Sequence, residues 1–301
     1  MKLNVVHSRR AWYTLSAISI LLSIASLLMW GLKQGIDFTG GSLLSVRFSA
    51  RPTSIEVERT ITETRLDLGS IIIQPVGTED IQFRMRTLTE AEHQQIFSAL
   101  KSKYPSAQEL RFDAIGPVVG EELRQKSVQG LVIVLLAIMA YVAYVFRKVS
   151  APVASWKYGA ITIFTAFHDI IVPLGVFSVL GHFKGIEVGT AFIAAILTIM
   201  GYSITDTIVV MDRIRENLQK RTGAFKDIVE VSVEQTYLRS LNTSIATLLT
   251  VIAIFLFGGP SLHDFTLTLI IGISVGTYSS IFVASPMLVS WDLWSKKRSI
   301  R

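Results

Sequence analysis

Four ionisable residues stand where an apolar chain tolerates them least, and they mark where chemistry can occur. Asp206 lies in Gly201-Tyr202-Ser203-Ile204-Thr205-Asp206-Thr207, within an otherwise uncharged apolar run. His168 and Asp169 interrupt a second run, and Asp169 precedes Pro173 by four residues. Arg239 stands just before Leu241, where a third run opens, with Thr243 one turn further on. Burying a charge in hydrocarbon costs several kcal/mol unless it is paired or neutralised. On a helix, Tyr202 and Ser203 share the face of Asp206, and Thr207 follows, so a polar stripe is predicted to point into a bundle. Pro173 has no N–H to give, which leaves the carbonyl of Asp169 without its helical partner. An imidazole, a carboxylate and a free carbonyl at one depth suit a proton waypoint. If the two runs are antiparallel, Asp206 and Arg239 approach each other near one membrane face. Blander readings stand beside these: a structural carboxylate, a kink satisfied by water, and an ordinary arginine flanking a span.

Other chemistry has little to stand on. The chain has no G-x-x-x-x-G-K-[ST] loop for ATP phosphates and no H-E-x-x-H. Its histidines, at 7, 93, 168, 182 and 263, lack metal-ligand spacing, and there is no cysteine to form a disulfide, a thiolate site or a nucleophile. No catalytic motif, cofactor or metal is therefore expected, and any work must draw on a partner or an ion gradient.

The composition says what positions these residues. Of 301 residues 50% are apolar and 17% charged, against about 25% charged in soluble chains, and the mean hydropathy is +0.48. The net charge of +6 comes from basic residues flanking apolar runs, a pattern for membrane lipids rather than nucleic acid. A span needs roughly 20 helical residues. Ala11–Leu32, Val128–Phe146, Tyr158–Gly181, Val188–Met211, Leu241–Gly259 and Phe265–Trp291 predict six transmembrane helices. The first is longer than a usual signal-peptide core and is followed by no clear A-x-A site, so it reads as an anchor. Basic residues gather at Lys2, Arg9 and Arg10, at Arg147, Lys148 and Lys157, at Arg213, Arg215, Lys220, Arg221 and Lys226, and at Lys296, Lys297, Arg298 and Arg301. The alternate loops hold only Lys184 in Gly181–Glu187 and none in Gly258–Asp264. The positive-inside rule then puts both termini in the cytoplasm.

Three regions follow: 1–32 with the first helix, 33–127 as an extracytoplasmic domain of about 95 residues, and 128–301 with helices two to six. The domain reads as α+β. Ser42–Ser49 alternates as a strand, and Thr53–Leu68 has helical spacing at Ile55, Ile61 and Leu66. Ser70–Val76 and Asp80–Arg86 predict strands joined by a turn at Gly77 to Glu79. Thr89 caps a helix to Lys103 with Glu92 completing a capping box, and Glu109–Ile115 adds a last strand. The order β-α-β-β-α-β is that of a ferredoxin-like sandwich. A cytoplasmic loop is expected at about 212–239, with Phe225, Ile228, Val229 and Val233 on the apolar side of a helix lying on the bundle's inner face. Gly272 and Gly276, with Thr277, Ser279 and Ser280, predict a small face for close helix packing.

Taken in order, these stretches resemble the SecF family of bacterial protein export. After the first span comes Asp37-Phe38-Thr39-Gly40-Gly41, similar to the family's D-F-T-G-G. Before the second comes Gly116-Pro117-Val118-Val119-Gly120, like its G-P-x-V-G, and His168-Asp169 follows in the third. Then come Gly201-Tyr202-Ser203, Asp206-Thr207, Asp212-Arg213-Ile214-Arg215-Glu216-Asn217 and Arg239-Ser240-Leu241-Asn242-Thr243-Ser244, similar to R-[ST]-x-x-T-S. Thr205 departs from the Asn that many members carry before the aspartate, which puts the hydrogen-bond partner of Asp206 in question. The resemblance implies one six-span half of a resistance-nodulation-division architecture in the bacterial inner membrane. It also implies a SecD complement, the SecYEG channel and YajC as companions, and an unfolded preprotein as the object of work. The proton-motive force (sodium in some relatives) would drive that work after ATP-driven initiation, through the positions of Asp206 and Arg239. An exporter half for small molecules or lipids and a passive assembly scaffold are the competing readings.

Overall fold

The computed structural model describes residues 4–147, 154–259 and 262–299. Of the basic residues used for orientation, Lys2, Lys148 and Arg301 lie outside the described residues. In chain order the elements are α1 (Arg9–Trp30), α2 (Ile36–Thr39), β1 (Gly41–Arg47), α3 (Ser54–Thr62), β2 (Ile72–Val76), β3 (Asp80–Met85), α4 (Glu90–Lys103), β4 (Gln108–Ile115), α5 (Pro117–Val145), α6 (Ser155–Lys184), α7 (Thr190–Lys220), α8 (Phe225–Phe257) and α9 (His263–Ser279). A π turn over Ser280–Ala284 then leads into α10 (Ser285–Ser299). The chain divides into two compact units, one of Lys33–Gln129 with Glu187–Thr190, the other of the remaining segments.

The first unit is an antiparallel four-stranded sheet in the order β2-β3-β1-β4, the ferredoxin-like arrangement expected for β-α-β-β-α-β. Leu44 faces Phe83 across one ladder and Phe112 across the other. Leu44, Val46, Phe48, Ile81 and Phe83 are buried with Val57 and Ile61 of α3 and with Ile96 and Leu100 of α4. Both helices begin with a complete capping box, Thr53 with Glu56 and Thr89 with Glu92, which satisfies orphan N–H groups at each N-terminus. The expected helix over Thr53–Leu68 is shorter, ending at Thr62, with Arg65 in the left-handed region at φ +58°. Ile55 is 77% exposed, and the buried face is Val57, Thr60 and Ile61. Leu66 and Leu68 reach the same core from irregular backbone, so their apolarity had mimicked a longer helix.

Among the described residues six helices are long and apolar enough to cross a membrane, the last comprising α9, the π turn and α10. They make up the second unit, apart from the first part of α5 and the first residue of α7, which belong to the sheet unit. The chain is a multi-pass membrane protein. Close approaches use small residues. Ser26 donates to the carbonyl of Gly175 at 3.1 Å, and Ser178 donates to that of Ser26 at 2.8 Å, joining α1 to α6. A Cβ on Gly276 would lie 2.9 Å from Ser203 Cβ, so α9 meets α7 there with no room for a side chain. The stretch read as a loop at about 212–239 is two continuous helix ends, with only 221–224 between α7 and α8. Phe225, Val229 and Val233 are buried with Met211 and Ile214, so they belong to the foot of α8 rather than to a separate helix. Asn217 ties the two feet, donating to Ser232 Oγ at 2.8 Å and Gln235 Oε1 at 2.9 Å. The mixed charges that suggested a loop form pairs along α7, such as Asp212 with Arg215 at 2.6 Å and Glu216 with Lys220 at 2.6 Å.

Candidate functional site

The buried polar node of the helical unit is centred on Asp169, in mid-α6. Asp169 is 0% exposed and His168 1%. His168 Nδ1 lies 2.8 Å from Asp169 Oδ1. The other carboxylate oxygen accepts from Ser203 of α7 and, at 2.7 Å, from Ser279 of α9. Three helices therefore converge on one carboxylate. The imidazole Nε2 is buried with no hydrogen-bond partner among the described residues.

The network continues along α7. Ser280 donates to the carbonyl of Ser203 at 3.2 Å and bonds Thr207 at 2.8 Å. Ser280 opens the π turn, which ends just before Ser285 and Pro286, a residue with no N–H to give to the carbonyl of Phe282. The Ser285 hydroxyl donates to the carbonyl of Ser280 at 3.4 Å. A second chain runs from the Tyr202 hydroxyl to Ser244 of α8 at 3.1 Å, and from Thr277 of α9 to the same Ser244 at 2.6 Å.

Asp206 turns the other way, toward α8. It is 8% exposed, and its Oδ2 has no hydrogen-bond partner among the described residues, nor has the buried hydroxyl of Ser240. Arg239 and Ser240 are both close enough to act on this carboxylate, but Arg239 is exposed and stands in no ion pair with it. The two residues expected to approach thus do so without closing a salt bridge. Around them Thr205, Asn242 and Thr243 are exposed. The threonines bond carbonyls of their own helices, Thr205 that of Gly201 and Thr243 that of Arg239. Asp212 and Arg213 lie apart from this site, each in an ion pair within α7.

In the sheet unit, Asp37-Phe38-Thr39-Gly40-Gly41 forms one joint. Asp37 Oδ2 accepts from the N–H and the hydroxyl of Thr190, each at 2.7 Å. Phe38 is buried, and Thr39 donates to the carbonyl of Gly35 at 3.1 Å. Gly40 has φ +72° and ψ 169°, a conformation essentially restricted to glycine. A Cβ on it would lie 2.8 Å from Pro117 Cα, and one on Gly120 would lie 2.9 Å from the Gly40 nitrogen. Two motifs some eighty residues apart are therefore the two sides of one close contact.

This arrangement can be set against known proteins. The family described as protein export membrane protein SecD/SecF, C-terminal, matches residues 95–294, and the SecD/SecF GG motif matches residues 26–50. The chain belongs to the SecD/SecF family. The SecF protein translocase subunit of Thermobaculum terrenum is 39% identical, over 96% of this chain and 94% of that protein. The SecF of Haemophilus influenzae is 38% identical, over 95% and 84%. The crystal structure of SecDF, a translocon-associated membrane protein from Thermus thermophilus, aligns with a TM-score of 0.83 at 32% identity. It covers 97% of this chain, and the chain spans 39% of that one.

The SecD/SecF GG motif is thus the Gly40 joint. Sequence reading had named His168 and Asp169 but not their convergence with Ser279, which it took as a packing residue. It also passed over Glu187, whose carboxylate pairs with Arg84 and lies 3.5 Å from Lys33.

Proposed function

We propose that this chain is the SecF-type half of an ion-driven accessory to the Sec translocase, in the bacterial inner membrane with both termini cytoplasmic. A SecD-type half completes it beside the SecYEG channel and YajC, and a preprotein emerging on the far side is its object. The observation that carries this reading is Asp206, a buried carboxylate with an unpartnered oxygen, beside an exposed polar stripe of Thr205, Arg239, Asn242 and Thr243 on two apolar helices. Lipid is a poor neighbour for such a stripe and a complementary polar helix face is a good one. Protonation of Asp206 removes its charge and alters its interaction with Arg239 or with the facing half. The Asp169 node, shared by α6, α7 and α9, holds the helices whose rearrangement would follow, and the motion reaches the preprotein through the extracytoplasmic domain. One charge moving down 100 mV supplies about 2.3 kcal/mol, enough to bias a two-state switch.

The test is export into inverted vesicles with and without an imposed proton gradient. Asp206→Asn keeps shape but cannot exchange a proton, and Arg239→Met keeps length but removes charge. Both variants are expected to insert and to retain ATP-driven initiation while losing the gradient response. The double variant is expected to be no worse than either single one, because members of one relay are non-additive. A full gradient response in Asp206→Asn would replace the relay with a scaffold.

A further inference from the structure

A groove of about 730 Å³ opens on the helical unit between α1, α6 and the sixth span, and it takes no part in the buried polar network. Tyr13, Ala17 and Leu21 of α1 line it with Phe164, Met287 and Trp291. The lining is apolar along its length, with a polar contact where Tyr13 Oη meets Ser290 Oγ at 2.9 Å. Helical spacing extends each wall to a cation. Arg10 precedes Tyr13, Ala17 and Leu21 on one stripe of α1, and Lys297 follows Ser290 and Trp294 on one stripe of α10. The helices are antiparallel, since Tyr13 pairs with Ser290 while Ser16 pairs with Tyr278 at 3.1 Å, so both cations lie at the same end. Lys157 joins them, bonded to Ser295 Oγ at 2.7 Å and 5.8 Å from the Trp291 ring. Trp156 stands edge-on to Trp291 at 5.1 Å, completing an aromatic collar. Three acids stand near this end: Asp292 is engaged by Lys296 at 2.7 Å, Glu230 accepts from the N–H groups of Val5 and Val6, and Asp227 lines a neighbouring pocket with Arg9, Arg10 and Lys226.

We propose that this groove is a binding site for one anionic phospholipid. An acyl chain lies along Ala17, Leu21, Phe164 and Met287, and the phosphate sits among Arg10, Lys157 and Lys297. The pattern is that of an amphiphile: hydrocarbon along the groove, aromatic rings at the interface, cations only at headgroup depth. A protein helix filling the same groove would need no cluster of cations at one end.

The full chain in phosphatidylcholine vesicles, in a Trp30→Phe background that removes the tryptophan at the other end of α1, is titrated with brominated phosphatidylglycerol or brominated phosphatidylcholine. Quenching of the remaining tryptophans is expected at a several-fold lower mole fraction of the anionic lipid. Arg10→Gln and Lys297→Gln should each weaken that preference about fivefold, and Ala17→Phe, which fills the groove, should reduce quenching by both lipids. Equal quenching by the two lipids, or a preference unchanged in Arg10→Gln/Lys297→Gln, overturns the proposal. Shielding of the groove tryptophans from both lipids also overturns it, in favour of a protein occupant. Native mass spectrometry of the same variants supplies a readout independent of tryptophan environment: a retained phosphatidylglycerol adduct on the parent chain that disappears in the double variant.

Discussion

Two carboxylates in adjacent helices are prepared for different tasks. Asp169 has its acceptor capacity taken up by His168, Ser203 and Ser279, so removing it leaves the His168 Nδ1 and the Ser203 hydroxyl short of a partner, while Ser279 keeps the carbonyl of Gly276. Each such orphan costs about 1–3 kcal/mol. Asp169→Ala should therefore lower the thermal midpoint of the purified protein markedly, whereas Asp206→Asn, which keeps an acceptor oxygen toward α8 and has an Oδ2 with no partner among the described residues, should leave it nearly unchanged. Comparable losses in the two variants, read by thermal unfolding in detergent, would contradict this division. The sequence showed that both carboxylates were anomalous but not which was saturated, because saturation depends on Ser279, 110 residues further along the chain.

Among the elements, caps and glycines set the boundaries. Glu92 accepts from Arg86 and from the N–H and hydroxyl of Thr89, and these bonds hold its carboxyl down to about 2 from an ordinary 4.5. A depressed folded-state pKa gives stability that is fully present above about 4.5 and lost as pH falls toward about 2. Hydrogen exchange in the first turn of α4 should accelerate through that window, and Glu92→Gln should flatten the dependence. Gly40→Ala places a Cβ against Pro117 at a backbone conformation that costs on the order of 1–3 kcal/mol for other residues. It should loosen the joint, seen as faster exchange around α2 and the start of α5 without loss of the sheet. The capping box of Thr89 and Glu92 was legible as Thr-x-x-Glu, a local code, and the structure adds a second at Thr53 and Glu56. The Gly40–Gly120 contact was not legible, since two glycine motifs far apart give no sign that they touch.

At the scale of the molecule, the unequal distribution of basic residues makes a topological prediction. The native chain has no cysteine, so single cysteines at Ser70 and at Ala224, both exposed, can be probed with an impermeant thiol reagent on intact spheroplasts. Position 70 should label and position 224 should not; the reverse pattern inverts the orientation. The sequence by itself determined the six spans, the β-α-β-β-α-β order and the anomalous charges. Apolar length, strand alternation and capping are local properties, and an isolated charge in a long apolar run stands out without any neighbour. The tertiary structure decided the rest. It closed the expected loop at about 212–239 into the feet of α7 and α8, because Phe225, Val229 and Val233 had a core to enter. It shortened α3, because Leu66 and Leu68 reach their core from irregular backbone. It made Asp169 rather than Asp206 the hub of the hydrogen bonds, because a hydrogen bond is a matter of a few ångströms between side chains that helix packing, not chain order, brings together.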